Sequence, residues 1–159
     1  MTHFTLSVAL TVTLFSGSVY AASQDRVTGL WQTVDDKTGE AASIVHIHVA
    51  DAGELRGTIK TLLRSEDQGK VCDLCPDAFY NQPIEGLTFM WGLQPSQSGA
   101  WQGGRILDPE SGSIYRSQLT VSDDGQTITV RGYIGVSWLG RSQQWQRVEQ
   151  GDALHASSD

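Results

Sequence analysis

Two cysteines, spaced Cys72-Asp73-Leu74-Cys75, are the residues whose type and spacing most invite chemistry. In an oxidising compartment such a pair closes to a disulfide. Closing a loop of four residues removes only about 2 kcal/mol of chain entropy from the unfolded state, so the bond would clamp a local segment and add little to global stability. Thiol–disulfide exchange is the alternative reading. It calls for the motif at a helix N-terminus in a βαβ unit, where the thiol pKa is depressed, and no such unit surrounds it. Zinc would need two further ligands, and His46, His48 and His155 are the candidates. His46 and His48 share a strand face opposite the apolar one, where solvated histidines are expected. With no second C-x-x-C, neither a metal nor a cofactor is expected.

The remaining candidates for acid–base work are weaker. Asp35-Asp36, Asp51 and Asp123-Asp124 fall in turns, where short acidic side chains cap backbone amides. Nothing pairs a serine with an inward histidine and an acid, and there is no P-loop, Rossmann fingerprint or H-E-x-x-H. No catalytic residue is expected.

The chain that must position these groups has 159 residues, with 11 Lys+Arg against 18 Asp+Glu and a net charge of −7. At 39% hydrophobic and 18% charged residues it can build one packed core. Its acidity leaves a nucleic-acid backbone nothing to condense on, so no nucleic-acid partner is expected. Leu6–Phe15 form an apolar run too short for a membrane span and about right for an export signal, followed by Val19-Tyr20-Ala21. Residues 1–21 therefore read as a cleaved signal peptide, 22–150 as one folded domain with no membrane span, and 151–159 as a flexible tail.

Within the domain, apolar residues recur at every second position and the breaks are Gly, Asp, Ser and Pro, the pattern of strands and tight turns. Val27, Gly29, Trp31 and Thr33 share a face of a first strand; Val45, Ile47 and Val49 share a face of a second. Leu55 to Leu63 alternates cleanly, and Leu87, Phe89, Trp91 and Leu93 make a fourth strand. Trp101–Leu107 carries two central glycines, suggesting a bulge. Tyr115–Val121, Ile128–Ile134 and Ser142–Val148 complete eight. Asp108–Gly112 and Asp123-Asp124-Gly125 supply turns. With short connections and no crossover helices, the expected fold is a single all-β, eight-stranded, antiparallel up-and-down barrel, since closure removes both exposed edges. One polar segment, Arg64 to Gln82, interrupts the meander.

Gly29-Leu30-Trp31 resembles the G-x-W opening of lipocalin-like (calycin) barrels, and Trp145-x-Arg147 sits where those barrels place a basic residue over the first-strand tryptophan. The ordered set Trp101-x-Gly103-Gly104-x-Ile106-x-Asp108-Pro109-x-x-Gly112-x-x-Tyr115, then Arg131-Gly132-Tyr133-x-Gly135, resembles the DUF2147 family of small exported bacterial proteins. The resemblance implies a lipocalin-like fold and a periplasmic or secreted bacterial location. It implies no settled activity.

A guanidinium stacked on an indole would let Trp31 and Arg147 bridge the first and last strands and close one end of the barrel, and the resemblance adds Gly29 and Trp145 to that closure. Inward-facing Phe89, Trp91, Tyr115, Ile47 and Ile59 are the candidate ligand-binding set, with the cavity expected to be narrow, apolar and aromatic-lined. The expected function is non-enzymatic binding of a small apolar or amphipathic molecule. Two alternatives stand beside it. One is a filled barrel that docks an envelope protein partner through its rim, where Trp138 lies; the other is a thiol–disulfide redox protein using Cys72 and Cys75.

Overall fold

The computed structural model describes residues 24–149; the expected signal peptide and C-terminal tail lie outside them. Eight strands follow one another around a closed barrel in which every strand pairs antiparallel with its sequence neighbours and the last pairs with the first. They are β1 (Gly29–Val34), β2 (Ala41–Val49), β3 (Leu55–Leu62), β4 (Thr88–Pro95), β5 (Trp101–Asp108), β6 (Ser113–Val121), β7 (Thr127–Tyr133) and β8 (Gly140–Val148). The seam runs through Leu30↔Val148, Trp31↔Arg147 and Gln32↔Gln146. Val27 belongs to a helical turn that precedes β1, not to the strand itself. Among the described residues no helix is long and apolar enough to cross a membrane.

An up-and-down order sends alternate connections to opposite ends. The β2–β3, β4–β5 and β6–β7 turns and the residues before β1 lie at one end. The β1–β2, β3–β4, β5–β6 and β7–β8 connections lie at the other. The first end is solid: Trp31, Val45, Ile47, Leu55, Met90, Leu93, Leu119 and Ile128 are all fully buried. Each such side chain contributes about 1.5–3 kcal/mol relative to exposure, so this half carries most of the core.

Strand β4 departs from simple alternation, and the reason is visible in its register with β3. Thr58 pairs with Thr88, Gly57 with Met90 and Leu55 with Leu93, so the register shifts on both sides of Gly57. These are two bulges, the second made easy by Gly92 at φ +74°. Phe89, Met90 and Leu93 are buried as a result. Trp91 is turned to the outside, opposite Arg105. A bulge also interrupts β5 between Trp101 and Gly104, where the paired glycines predict one.

The outward Trp91 is covered by the β3–β4 connection. This segment contains two short 3-10 turns, Ser65–Asp67 and Asp77–Phe79, and doubles back on itself through a Val71↔Pro83 bridge. Phe79 stacks on Trp91 with ring centroids 5.4 Å apart. Leu107, Leu87, Cys72 and Cys75, all at 7% exposure or less, belong to the same apolar cluster. Cys72 and Cys75 form a disulfide with Cα atoms 5.3 Å apart.

Candidate functional site

Below the four connections of the second end, the barrel is hollow. The cavity measures about 1300 Å3 and opens at the rim, above the range of about 300–1,000 Å3 usual for small-molecule sites. Inward positions change character along each strand. Near the middle they are apolar: Ile59, Phe89, Ile106, Val130 and Trp145, with the Phe89 and Trp145 rings 6.1 Å apart. One step higher they are small or polar: Thr33 and Ser43, whose hydroxyls share a 2.8 Å hydrogen bond, Gly132, Tyr115 and Gln143. At the rim they are charged.

Two hydrogen-bonded chains organise the polar layer. The Trp145 indole Nε1–H donates to Gln143 Oε1 at 2.9 Å, Gln143 Nε2 donates to Asp36 Oδ1 at 2.7 Å, and Arg141 pairs with Asp36 Oδ2 at 2.9 Å. This ties the cavity floor to the β1–β2 loop. From the neighbouring residue of the same loop, Asp35 Oδ2 accepts from the Arg64 guanidinium at 2.6 Å; Arg64 also binds Asp67, which accepts from Lys70 Nζ at 2.6 Å. Backbone N–H groups of Thr38 and Lys37, with Arg64, hold the Asp35 carboxyl down at about 2. Burial raises the Asp67 carboxyl, but the hydrogen bonds from Lys70 and Arg64 outweigh it and leave it below the ordinary carboxylate range. Both acids are thereby fixed as anions and are poor proton donors at neutral pH.

Three of the five candidate ligand residues, Phe89, Tyr115 and Ile59, line this cavity. Trp91 does not, because the β4 bulges turn it outward. Ile47 does not either: it is fully buried in the packed end, beneath the hollow. The cavity is also wider and more polar than expected, since Trp91 is withdrawn from it and Thr33, Ser43, Gly132 and Gln143 face it. Trp145 needs a second correction. It pairs with Ile128 on β7, away from the β1–β8 seam, and its ring lines the cavity.

Arg147 and Trp31 form the closure of the solid end. The guanidinium carbon of Arg147 lies 4.2 Å from the Trp31 ring centroid. Its nitrogens donate to the carbonyls of Gly125 at 2.7 Å, Thr28 at 3.0 Å and Arg26. A methyl group on Gly29 would sit 2.8 Å from Arg147 Nη1, so only glycine leaves room for the guanidinium.

The cystine is shielded. Cys72 is fully buried and Cys75 is 4% exposed, with Cys72 Sγ 3.8 Å from the Pro109 carbonyl oxygen, so an attacking thiolate has no open approach. His46 and His48 stand half-buried on the outer face of β2 with rings stacked at 5.3 Å, not free in solvent as the alternation suggested. Among the described residues no group of three or more His, Cys, Asp or Glu side chains is arranged to hold a metal ion. The Arg64 cluster and the Gln143–Asp36 link were missed from the sequence; the acids appeared there only as turn residues, and no local pattern joins positions so far apart.

A closed eight-stranded barrel, solid at one end and open to a cavity at the other, is the architecture of lipocalin-like proteins. The protein HP1028 of Helicobacter pylori, described as belonging to the lipocalin family, superposes with a TM-score of 0.71 at 16% identity, over 82% of this chain and 88% of its own. The family model for uncharacterized proteins conserved in bacteria (DUF2147) matches residues 29–147, about three quarters of the chain, and the chain belongs to that family. No curated protein matches it.

Proposed function

We propose that this is a periplasmic, non-enzymatic binding protein that holds a small apolar or amphipathic molecule in the open half of its barrel. The carrying observation is the cavity of about 1300 Å3 whose deeper wall is Ile59, Phe89, Ile106, Val130 and Trp145. Burial of apolar guest surface at roughly 25 cal/mol per Å2 supplies the affinity, and Tyr115 offers a hydroxyl to a polar head. No bond is made or broken in this reading. Both described histidines stand on the outer face of β2, and the rim acids Asp35 and Asp67 are locked in ion pairs. Export is supported by the apolar run Leu6–Phe15 and by a cystine, which persists in oxidising compartments. Native mass spectrometry of protein purified from its own compartment tests the reading. It predicts a co-purifying small molecule released on unfolding; a uniformly apo mass counts against it.

A second reading is favoured by one specific feature. Ile134, Val136, Trp138 and Leu139 in the β7–β8 connection are 71%, 46%, 75% and 57% exposed. Arg131 props this loop from behind by donating to the carbonyls of Ser137 and Trp138. An exposed apolar loop pinned by these hydrogen bonds beside the mouth suits docking to an envelope protein, and such a surface operates with or without a bound guest.

A further inference from the structure

The charges around the mouth are unevenly matched. Six carboxylates and four cations line the cavity. Each cation already has a carboxylate partner: Arg64 binds Asp35 and Asp67, Lys70 binds Asp67, Arg141 binds Asp36, and Lys37 lies 3.7 Å from Glu110. Among the described residues, Asp73 and Asp108 line the same cavity without a cation partner. The Asp108 carboxylate accepts only from the Glu110 N–H and the Ser111 hydroxyl at its own turn. The mouth therefore carries two negative charges in excess. A carboxylate or sulfate head arriving there would meet cations that already face carboxylates, and freeing Arg64 would leave Asp35, at 9% side-chain exposure, without its cation and Asp67 with Lys70 alone. Stranding a charge so little exposed is costly.

The neutral groups point the same way. Thr33 and Ser43 satisfy each other, and Gln143 is used at both ends. What remains for a ligand head is the ring of Tyr115, which packs beside Gly132 on the inner face, whereas Tyr133 pairs with the exposed Arg116 and faces outward. The Tyr115 face and the unpaired carboxylates together make a receptor for an alkylammonium ion, by cation–π attraction and by the field of the mouth.

We propose that the cavity selects amphiphiles with a cationic, ammonium-type head and an apolar chain, and discriminates against the same chain ending in a carboxylate. This rests on the binding reading above. The test is calorimetric titration of the purified protein at neutral pH with three ten-carbon probes below their micelle concentrations: decyltrimethylammonium, decanol and decanoate. The expected order is ammonium tightest and decanoate weakest, with at least about a tenfold gap between them, equivalent to about 1.4 kcal/mol. Raising the salt to molar levels, where the screening length falls to about 3 Å, narrows the gap. So does the double variant Asp73→Asn/Asp108→Asn. Decanoate binding as tightly as the ammonium, decanol binding tightest, or a gap insensitive to both salt and the double variant overturns the head-group assignment. Saturable binding of decanol in any of these outcomes leaves the binding reading standing; no binding by any probe overturns that reading and the assignment with it.

Discussion

The Arg147 guanidinium lies over the Trp31 indole at 4.2 Å, and the two residues are direct cross-strand partners in the pairing that joins β8 to β1. Seam and plug are thus one contact. The Trp31 Nε1–H donates to the Val27 carbonyl at 2.9 Å, so the helical turn before β1 is held by the same pair.

Arg147→Ala removes the stacking and leaves the carbonyls of Gly125, Thr28 and Arg26 without their donors. The expected loss is about 2–4 kcal/mol, combining cation–π and charge-assisted hydrogen bonds. Arg147→Lys recovers less than half, because an ammonium has no planar fork to span three acceptors. Urea unfolding of the three proteins measures this, and equal midpoints for Arg147→Ala and the wild type would refute it.

Gly112 fastens the cystine segment to the β5–β6 turn. It has φ +70°, and a Cβ there would lie 1.9 Å from the Leu74 carbonyl oxygen. Gly112→Ala forces Leu74 and Cys75 away, at about 1–3 kcal/mol for backbone strain and lost contact. Its cystine becomes reducible by dithiothreitol under conditions where the wild-type bond resists. Identical reduction rates would show that this turn does not shield the bond.

The Asp35 carboxyl is held at about 2 in the folded state against 3.8 ordinarily. A depressed carboxyl stabilises the fold fully above its unfolded value, and that contribution disappears as pH falls from about 4 to about 2. Asp67, also held low, acts in the same direction. Thermal melts should therefore drop across this window in the wild type. Asp35→Asn should start lower and fall less steeply; a parallel decline would exclude Asp35 as a contributor.

Trp145 is the tryptophan placed to report on the cavity. Trp31 and Trp101 are buried in the solid end, Trp91 faces outward under Phe79, and Trp138 is exposed on the rim. Binding of an apolar guest should change the intrinsic fluorescence through Trp145, and Trp145→Phe should remove most of that change. A response that survives in Trp145→Phe but vanishes in Trp138→Ala would move the binding event to the rim loop.

The closed meander was legible because period-two alternation and turn residues are local signals, and the hairpins they specify leave few ways to arrange the strands. Arg147 over Trp31 was legible for a similar reason: closure brings the first and last strands together. Alternation turns Trp91 inward because it reads straight through the first β4 bulge, which flips the strand until the second bulge returns Leu93 to the core. Two bulges within β4 cannot be counted from Gly92 by itself. Ile47 was placed on the right face but at the wrong height, since the sequence marks inside from outside and carries no mark for where packing stops and the hollow begins. That boundary depends on Trp31, Trp101 and Met90 filling one end together, a property of three strands at once.

The central claim is that the open half of the barrel holds a guest, and Gly132 allows it to be blocked cleanly. A Cβ at Gly132 would meet Ile106 and Tyr115 at 3.6 Å, ordinary contact, so a larger side chain there is accepted locally and projects into the cavity. The most direct measurement is titration of N-phenyl-1-naphthylamine into wild-type protein and Gly132→Phe, with folding of both checked by circular dichroism. Saturable one-to-one binding to the wild type and loss of at least about tenfold in affinity in the variant are expected. Equal binding to both, or none to the wild type, would contradict the claim.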